Sequence, residues 1–178
     1  AKGSSQGEGV GNKFLADIQQ TDAIIHVLRC FDDENLPHVE GSVDPVRDME
    51  IIDLELQVRD LDLVQRKIQR LEKLAKSGDK EVKRQIGILE KLVAHIENFS
   101  NVRDFVIDPK DKAVLIDDMY LLTAKPIMYV CNVDDDSAAT GNAYSQAVEK
   151  TLKDIETEVI VIGGNLEAEI AELEDEAD

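Results

Sequence analysis

Polar side chains that could contact a purine base follow an apolar segment in the last third of the chain. The segment Ile127–Cys131 leads directly into Asn132-Val133-Asp134-Asp135. An amide at this point can brace neighbouring loops and touch a purine, and a carboxylate three residues later can accept hydrogen bonds from a base or from loop amides. Taken alone, the four residues fit a solvated acidic turn better than a binding site, and both interpretations stay open here.

A second loop strengthens the interpretation as a binding site. Gly163-Gly164-Asn165 follows the apolar segment Val159–Ile162, and bare glycine backbone lets a planar ligand approach closely. Ligands of open parallel sheets bind beyond the carboxyl ends of the strands. We therefore expect residues 132–135 and the two glycines to converge on one crevice at that edge of a sheet.

The elements that position these loops form an α/β fold. Three nearly continuous apolar segments rich in β-branched residues are typical of strands buried in a parallel sheet. Val148, Leu152 and Ile155 recur at helical spacing between the last two segments, which gives the strand-helix-strand order of a parallel sheet. The three segments are residues 23–31, 127–131 and 159–162.

A long helical hairpin interrupts this pattern. Roughly 95 residues separate the first two apolar segments, far more than a crossover helix needs. Asp44-Pro45 predicts one helix start, and Gly78-Asp79 predicts a helix end followed by a new start. Apolar residues recur every seven positions, which predicts an antiparallel coiled-coil hairpin inserted into the α/β domain. The repeat consists of Leu54, Leu61, Ile68 and Ala75.

The charge distribution separates the hairpin from the rest of the chain. The formal net charge is −18, which argues against a chain that wraps nucleic acid over its whole surface. Ten of the 20 basic residues nevertheless lie between Arg59 and Lys91. They fit either an ordinary solvated exterior or an RNA contact near the Gly78 turn. The residues predicted for that contact are Lys73, Lys76, Lys80, Lys83 and Arg84.

Composition excludes several classes of protein. Aromatic residues make up only 4% of the chain, so base-stacking platforms are not expected. No apolar segment reaches the roughly 18 residues of a membrane span, and the sequence predicts a cytoplasmic protein without a membrane partner. Cys30 and Cys131 close apolar segments, which favours buried reduced thiols over a disulfide or a metal site. The glycine-rich start, including Gly7, Gly9 and Gly11, predicts a mobile loop.

Several segments resemble the YchF family of Obg-like ATPases, and together they span nearly the whole chain. Residues 3–15, with Gly7, Gly9 and Gly11, resemble the family segment just after the switch II signature. Residues 22–31 resemble a family strand and its exit, and residues 38–45 resemble the entry to its helical insertion. Residues 125–133 and 167–173 match near the base-recognition end of the family.

The resemblance implies a ribosome-associated P-loop ATPase of the translation-factor class, which binds ATP or GTP with Mg²⁺ and carries a coiled-coil arm. It implies a switch region at Gly7, Gly9 and Gly11, and an arm that contacts the ribosome or its RNA. Val133 replaces the lysine of the usual Asn-Lys-x-Asp motif, as in the family, so a strict guanine preference is not expected. Asp135 stands where the family usually has glutamate. The implied base-binding residues are Asn132, Val133, Asp135, Gly163, Gly164 and Asn165.

The resemblance also predicts a division of the chain and a limit on its activity. Residues 1–43 and 123–178 are expected to belong to the nucleotide domain, and residues 44–122 to the helical insertion. No Gly-Lys pair and no Asp-x-x-Gly motif occur, and phosphoryl transfer depends on the loops that these motifs form. We therefore expect a central fragment without catalytic or metal-binding residues of its own, which alone binds nucleotide weakly at best. The alternative is a stand-alone coiled-coil module that binds RNA or a protein.

Overall fold

The chain alternates between strands and helices, as the sequence predicts. A computed structural model describes residues 9–32, 41–75 and 78–164. The helices and strands of these residues, in chain order, are α1 (Gly9–Gln19), β1 (Ile24–Arg29), α2 (Pro45–Leu74), α3 (Lys80–Glu97), α4 (Pro109–Leu115), β2 (Ile127–Val133), α5 (Ala143–Thr151) and β3 (Glu158–Gly163).

The three strands form one sheet in the order β1-β2-β3. β2 and β3 run parallel, in a register that places Val133 opposite Gly163. The Ile24 amide donates to the Pro126 carbonyl, and the Cys30 amide donates to the Asn132 carbonyl. This constant offset between donor and acceptor is typical of a parallel pair. The predicted α/β class with a parallel sheet is therefore confirmed.

Capping side chains start the helices where the sequence predicts. The Asp44 carboxylate accepts a hydrogen bond from the Arg47 amide at 3.0 Å, and α2 begins at Pro45. The Asp79 carboxylate caps α3 by accepting from the Glu81 amide at 2.9 Å. Each carboxylate satisfies an amide that has no partner within its own helix.

Three local predictions need correction. The glycine-rich loop was expected to continue through Gly11, but α1 already begins at Gly9. Asn132 and Val133, expected to follow the strand, are the last two residues of β2, because their backbone continues the pairing with β3. Ile155 lies beyond the end of α5 and is 52% exposed. Its spacing from Val148 and Leu152 therefore does not place it on a helix face, since α5 ends at Thr151.

The chain divides into two compact units. The helical unit contains the described residues 9–24, 51–75 and 78–126, and the sheet unit contains the described residues 25–32, 41–50 and 127–164. Residues 9–24 thus group with the helical insertion by compactness. The predicted functional boundaries at residues 43 and 122 are a separate matter and stay a prediction.

Apolar residues of α2 and α3 share the core of the helical unit. Val64 of α2 packs in one cluster with Leu89, Leu92 and Ile96 of α3. The Gln57 amide nitrogen of α2 donates to the Asn101 side chain at 2.8 Å, a short distance along the chain from the end of α3. The two helices therefore run side by side in opposite directions. Leu54 of the heptad repeat is 46% exposed, so the coiled-coil seam along the whole of α2 stays a prediction.

The core of the sheet unit lies against one face of the sheet. Leu28 of β1 and Tyr129 of β2 pack there against Val148 of α5 and Met49 of α2. Within the described residues, no helix combines the length and apolar character that a membrane span requires.

Candidate functional site

The end of β2 carries the predicted base-binding residues. Val133 is fully buried in the core of the sheet unit, and its neighbour Asn132 is partly exposed. Asp134 and Asp135 follow in an exposed turn, in which residues 135–137 form one turn of 3₁₀ helix. The strand thus holds Asn132 in place, while the two carboxylates lie in solvent beside it.

The end of β3 meets this turn through two glycines. The Gly164 amide donates to the Val133 carbonyl at 3.2 Å. An added Cβ on Gly164 would lie 2.5 Å from the Asp135 Oδ1 atom, and Gly164 has a φ of +87°. An added Cβ on Gly163 would lie 2.4 Å from the Ala138 Cβ atom. Glycine is therefore required at both positions for the Asp135 turn to close against β3.

Two polar groups at this edge suit a ligand. The Asn132 Oδ1 atom is buried and has no hydrogen-bond partner within the described part of the chain, although buried polar atoms nearly always have one. Hydrogen bonds from the Ser137 hydroxyl and the Asn142 amide hold the pKa of the Asp134 carboxyl below its usual range. An unsatisfied amide oxygen and an ionised carboxylate thus lie two residues apart.

Sequence reasoning missed the first turn of α5. The Asn142 side chain donates to the Cys30 carbonyl at 2.7 Å and to the Asp134 carboxylate at 3.2 Å. The Tyr144 hydroxyl donates to the Asp32 carboxylate at 2.8 Å. The helix-start signal at Asn142 was readable from the sequence, but its long-range partners were not, because they depend on how the strands pair.

The two cysteines lie beneath this site. Cys30 directly follows β1, Cys131 lies in β2, and both are fully buried free thiols. A hydrogen bond between the two thiols raises the pKa of Cys30 and lowers that of Cys131. Their surroundings in the apolar core of the sheet unit match the predicted packing role.

The predicted RNA-contact residues differ in their surroundings. Lys73, Lys80 and Lys83 are exposed. The Arg84 guanidinium instead binds two carboxylates, Glu81 at 2.8 Å and Asp111 at 2.8 Å, and it holds the pKa of both below their usual range.

Some predicted site residues lie outside what the structure describes. Lys76, Gly7 and Asn165 are not among the described residues. Gly9 and Gly11 of the predicted switch region lie in α1, which belongs to the helical unit.

The fold defines an α/β protein with a parallel sheet, in which three described helices, α2, α3 and α4, lie between the first two strands. No protein-family model matches the chain. The chain is 47% identical over 174 residues to the ribosome-binding ATPase YchF of Haemophilus ducreyi and 44% identical over 177 residues to that of Bacillus subtilis. Each match covers 98% of this chain, and 47% and 48% of the respective relatives.

Eukaryotic proteins give the same result. Obg-like ATPase 1 of Saccharomyces cerevisiae is 41% identical over 139 residues, covering 75% of this chain and 35% of that protein. The structure of the Schizosaccharomyces pombe YchF GTPase superposes with a TM-score of 0.77 at 32% identity, covering 92% of this chain and 45% of that one. The chain belongs to the YchF family, and it spans about half the length of the curated relatives that it matches.

Proposed function

We propose that this chain supplies the base-recognition part and the helical arm of a cytoplasmic, ribosome-associated protein that binds and hydrolyses ATP or GTP with Mg²⁺. The observation that carries the nucleotide part is the junction of β2 and β3, where Asp135 lies against Gly164 and the buried Asn132 Oδ1 atom has no partner among the residues that the structure describes. The names of the bacterial relatives, ribosome-binding ATPase, support the same function.

The chemistry of the junction suits a purine. The Asn132 side chain offers one amide to the edge of a base, and Asp135 offers a carboxylate acceptor. Val133 replaces the lysine of the usual guanine-binding motif, so a strict preference for guanine is not expected. We therefore expect adenine and guanine nucleotides to compete for it.

Phosphate binding and Mg²⁺ are not assigned to these residues. Within the described residues, no group of three or more His, Cys, Asp or Glu side chains could hold a metal ion. When bound, Mg²⁺ would neutralise charge on the nucleotide phosphates, which is the main requirement of phosphoryl transfer. We therefore expect the 178-residue chain to bind the base weakly and not to hydrolyse ATP.

Nucleotide titration tests this proposal. Amide NMR of the chain with added ATP should show saturable shifts at residues 132–135 and at Gly163 and Gly164, with a dissociation constant of roughly millimolar. Asn132→Ala should abolish these shifts. Asn98→Ala, which removes an exposed asparagine of the helical unit, is the matched control and should leave them unchanged. If ATP causes the same shifts in Asn132→Ala as in the wild type, Asn132 does not bind the base and the proposed base site is refuted.

The helical arm is the proposed ribosome contact. α2 is 30 residues long and α3 is 18 residues long, and in this proposal they form a coiled-coil hairpin. Lys73 and the described lysines after the turn, Lys80 and Lys83, are exposed. Exposed lysines on an otherwise acidic chain can bind RNA phosphates while the remaining surface repels nucleic acid. Arg84, held by Glu81 and Asp111, is a weaker candidate than the sequence suggested.

A further inference from the structure

Asn142 connects the ends of two strands in the sheet unit. Its side-chain nitrogen donates to the Cys30 carbonyl just beyond β1 and to the Asp134 carboxylate just beyond β2. Its side-chain oxygen accepts from the Ser145 amide at 3.0 Å and caps α5. One side chain thus ties two strand exits to the start of a helix.

The orientation of this amide is fixed by its partners. The Ser145 amide needs an acceptor, so the oxygen of Asn142 must face the helix and the nitrogen must face the strands. The backbone is fixed as well: Gly141 has a φ of +75°, and an added Cβ there would lie 2.7 Å from the Ser145 Oγ atom. That hydroxyl in turn accepts from the Asn142 amide at 2.9 Å. Asn142 therefore presents its nitrogen to the strand exits in one defined way.

The contact with Asp134 reaches the candidate base site directly. The Asp134 carboxylate lies between the Asn142 nitrogen and the Ser137 hydroxyl, which donates to it at 2.9 Å. The next residue, Asp135, contacts Gly164 at the end of β3. Fixing Asp134 from both sides therefore fixes the turn that carries Asp135.

We propose that Asn142 is a positioning residue for nucleotide binding: by tying Asp134 to the exit of β1, it holds the Asn132–Asp135 segment in the conformation that accepts a base. This inference rests on the proposed function, and it adds a residue that does not itself touch the base. A preformed site binds its ligand more tightly, because the binding free energy is not reduced by the cost of ordering the loop.

Two substitutions separate positioning from helix capping. Asn142→Asp keeps an acceptor for the Ser145 amide, and aspartate caps helices as well as asparagine does. It removes the donor to Cys30 and places a second carboxylate beside Asp134. Ser145→Ala removes the hydroxyl of the cap and keeps both donations of Asn142 to the strand exits. The first variant therefore breaks the tie between the strands, and the second breaks only part of the cap.

The readouts are the titration of Asp134 and the binding of ATP to the 178-residue chain, both followed by NMR. We expect Asn142→Asp to raise the pKa of Asp134, because the carboxylate loses a donor and gains a like charge. We also expect the ATP dissociation constant to rise about fivefold or more. Ser145→Ala, which keeps both donations of the Asn142 side chain, should change both quantities much less than Asn142→Asp does.

The inference is overturned if both variants weaken ATP binding equally while Asp134 titrates as in the wild type, since Asn142 would then only cap α5. An absence of ATP-dependent shifts in the wild type would refute the proposed function. In that case the positioning role is still decided by Asp134. An unchanged pKa in Asn142→Asp would refute it, and a raised pKa together with faster amide exchange at residues 134–137 would support it.

Discussion

The helical unit and the sheet unit treat their buried polar groups differently. In the helical unit, Gln57, Asp60 and Lys67 of α2 are almost completely buried, and each has a hydrogen-bond partner more than 40 residues away in the sequence. In the sheet unit, the buried His26 Nδ1 and Asn132 Oδ1 atoms have no partner within the described residues. These three side chains of α2 thus stabilise the fold, whereas the two atoms of the sheet unit do not contribute hydrogen bonds to it within the described residues.

The contrast is clearest at Asp60 and Asn132. The Asp60 carboxylate accepts from the Leu122 amide at 2.7 Å, from the Thr123 amide at 2.8 Å and from the Thr123 hydroxyl at 2.7 Å. The buried amide oxygen of Asn132 has no donor among the described residues. The helical unit has one comparable atom within the described residues, Arg59 Nε. A side chain with every partner in place has a structural role, whereas an acceptor without a partner at a strand end needs another explanation, and the proposed base site offers one.

The largest expected effect tests the structural half of this comparison. Asp60→Ala should lower the free energy of unfolding of the chain by about 3 kcal/mol or more, because three donors lose their acceptor in a buried site. The matched control is Asp62→Ala on the same helix, since the Asp62 side chain is 44% exposed and pairs with Arg66. That variant should change stability by less than about 1 kcal/mol. Urea denaturation followed by circular dichroism measures both.

The pH dependence sharpens this test. Burial raises the pKa of Asp60 to about 6, and the hydrogen bonds from Thr123 and Leu122 oppose that shift only in part. The folded state therefore holds the proton more tightly than the unfolded state, so stability falls as pH rises from about 4 through about 6. Asp60→Asn removes this titration. The free energy of unfolding of the wild type should therefore fall by about 2 kcal/mol relative to that of Asp60→Asn between pH 4 and pH 7. A difference that does not change with pH would contradict the raised pKa.

The fold was largely predictable because local signals decided it. Asp44-Pro45 and Asp79 mark the helix starts, because capping acts through nearby residues, and the β-branched segments mark the three strands, because such side chains favour strands. The partners of Asp60 could not be predicted, because they lie 62 and 63 residues away along the chain. The sequence predicts the wrong end for β2, because a polar residue such as Asn132 is typical of a loop, although its backbone still pairs with β3.

The second effect concerns the exposed charges of the helical unit. If the helical arm contacts the ribosome as proposed, changing Lys73, Lys80 and Lys83 to Glu should reduce ribosome affinity by roughly tenfold or more and flatten its dependence on salt. The matched control changes three other exposed lysines, Lys110, Lys150 and Lys153, to Glu and so makes the same change in net charge. Cosedimentation with ribosomes at several salt concentrations measures the difference. Equal losses in the two variants would mean that net charge alone governs binding.

The candidate site was only partly predictable. The end of β2 and the Gly163-Gly164 pair were recognisable because carboxyl ends of parallel strands collect at one edge of a sheet. The contacts of Asn142 with the two strand exits were not predictable, because the sequence around Asn142 indicates only a helix start. The ion pair between Arg84 and Asp111 was not predicted either, because Asp111 is distant in sequence and becomes a neighbour only after folding.

The smallest expected effect concerns Gly164 and tests the candidate base site in the sheet unit. Gly164→Ala should lower the free energy of unfolding by about 1 to 2 kcal/mol, because its φ of +87° is unfavourable for any residue with a Cβ. Gly41→Ala is the matched control in the same unit, since Gly41 has a φ of +81° and an added Cβ there would have no atom of the described residues within 4 Å. The two variants share the backbone cost. They differ in the contact with Asp135, which an added Cβ on Gly164 would approach to 2.5 Å.

That difference isolates the role of the Asp135 turn. If Asp135 lies against Gly164 to present its carboxylate to a base, Gly164→Ala should displace it and weaken the ATP-dependent shifts at residues 132–135, while Gly41→Ala should preserve them. Similar stability losses in both variants with a loss of shifts only in Gly164→Ala would mean that the contact serves the ligand. An additional stability loss in Gly164→Ala with unchanged ATP shifts would mean that the contact serves the fold. The polar groups at the end of β2 would then stabilise the fold, as Asp60 does in the helical unit. The proposed difference between the two units would not hold at the candidate base site.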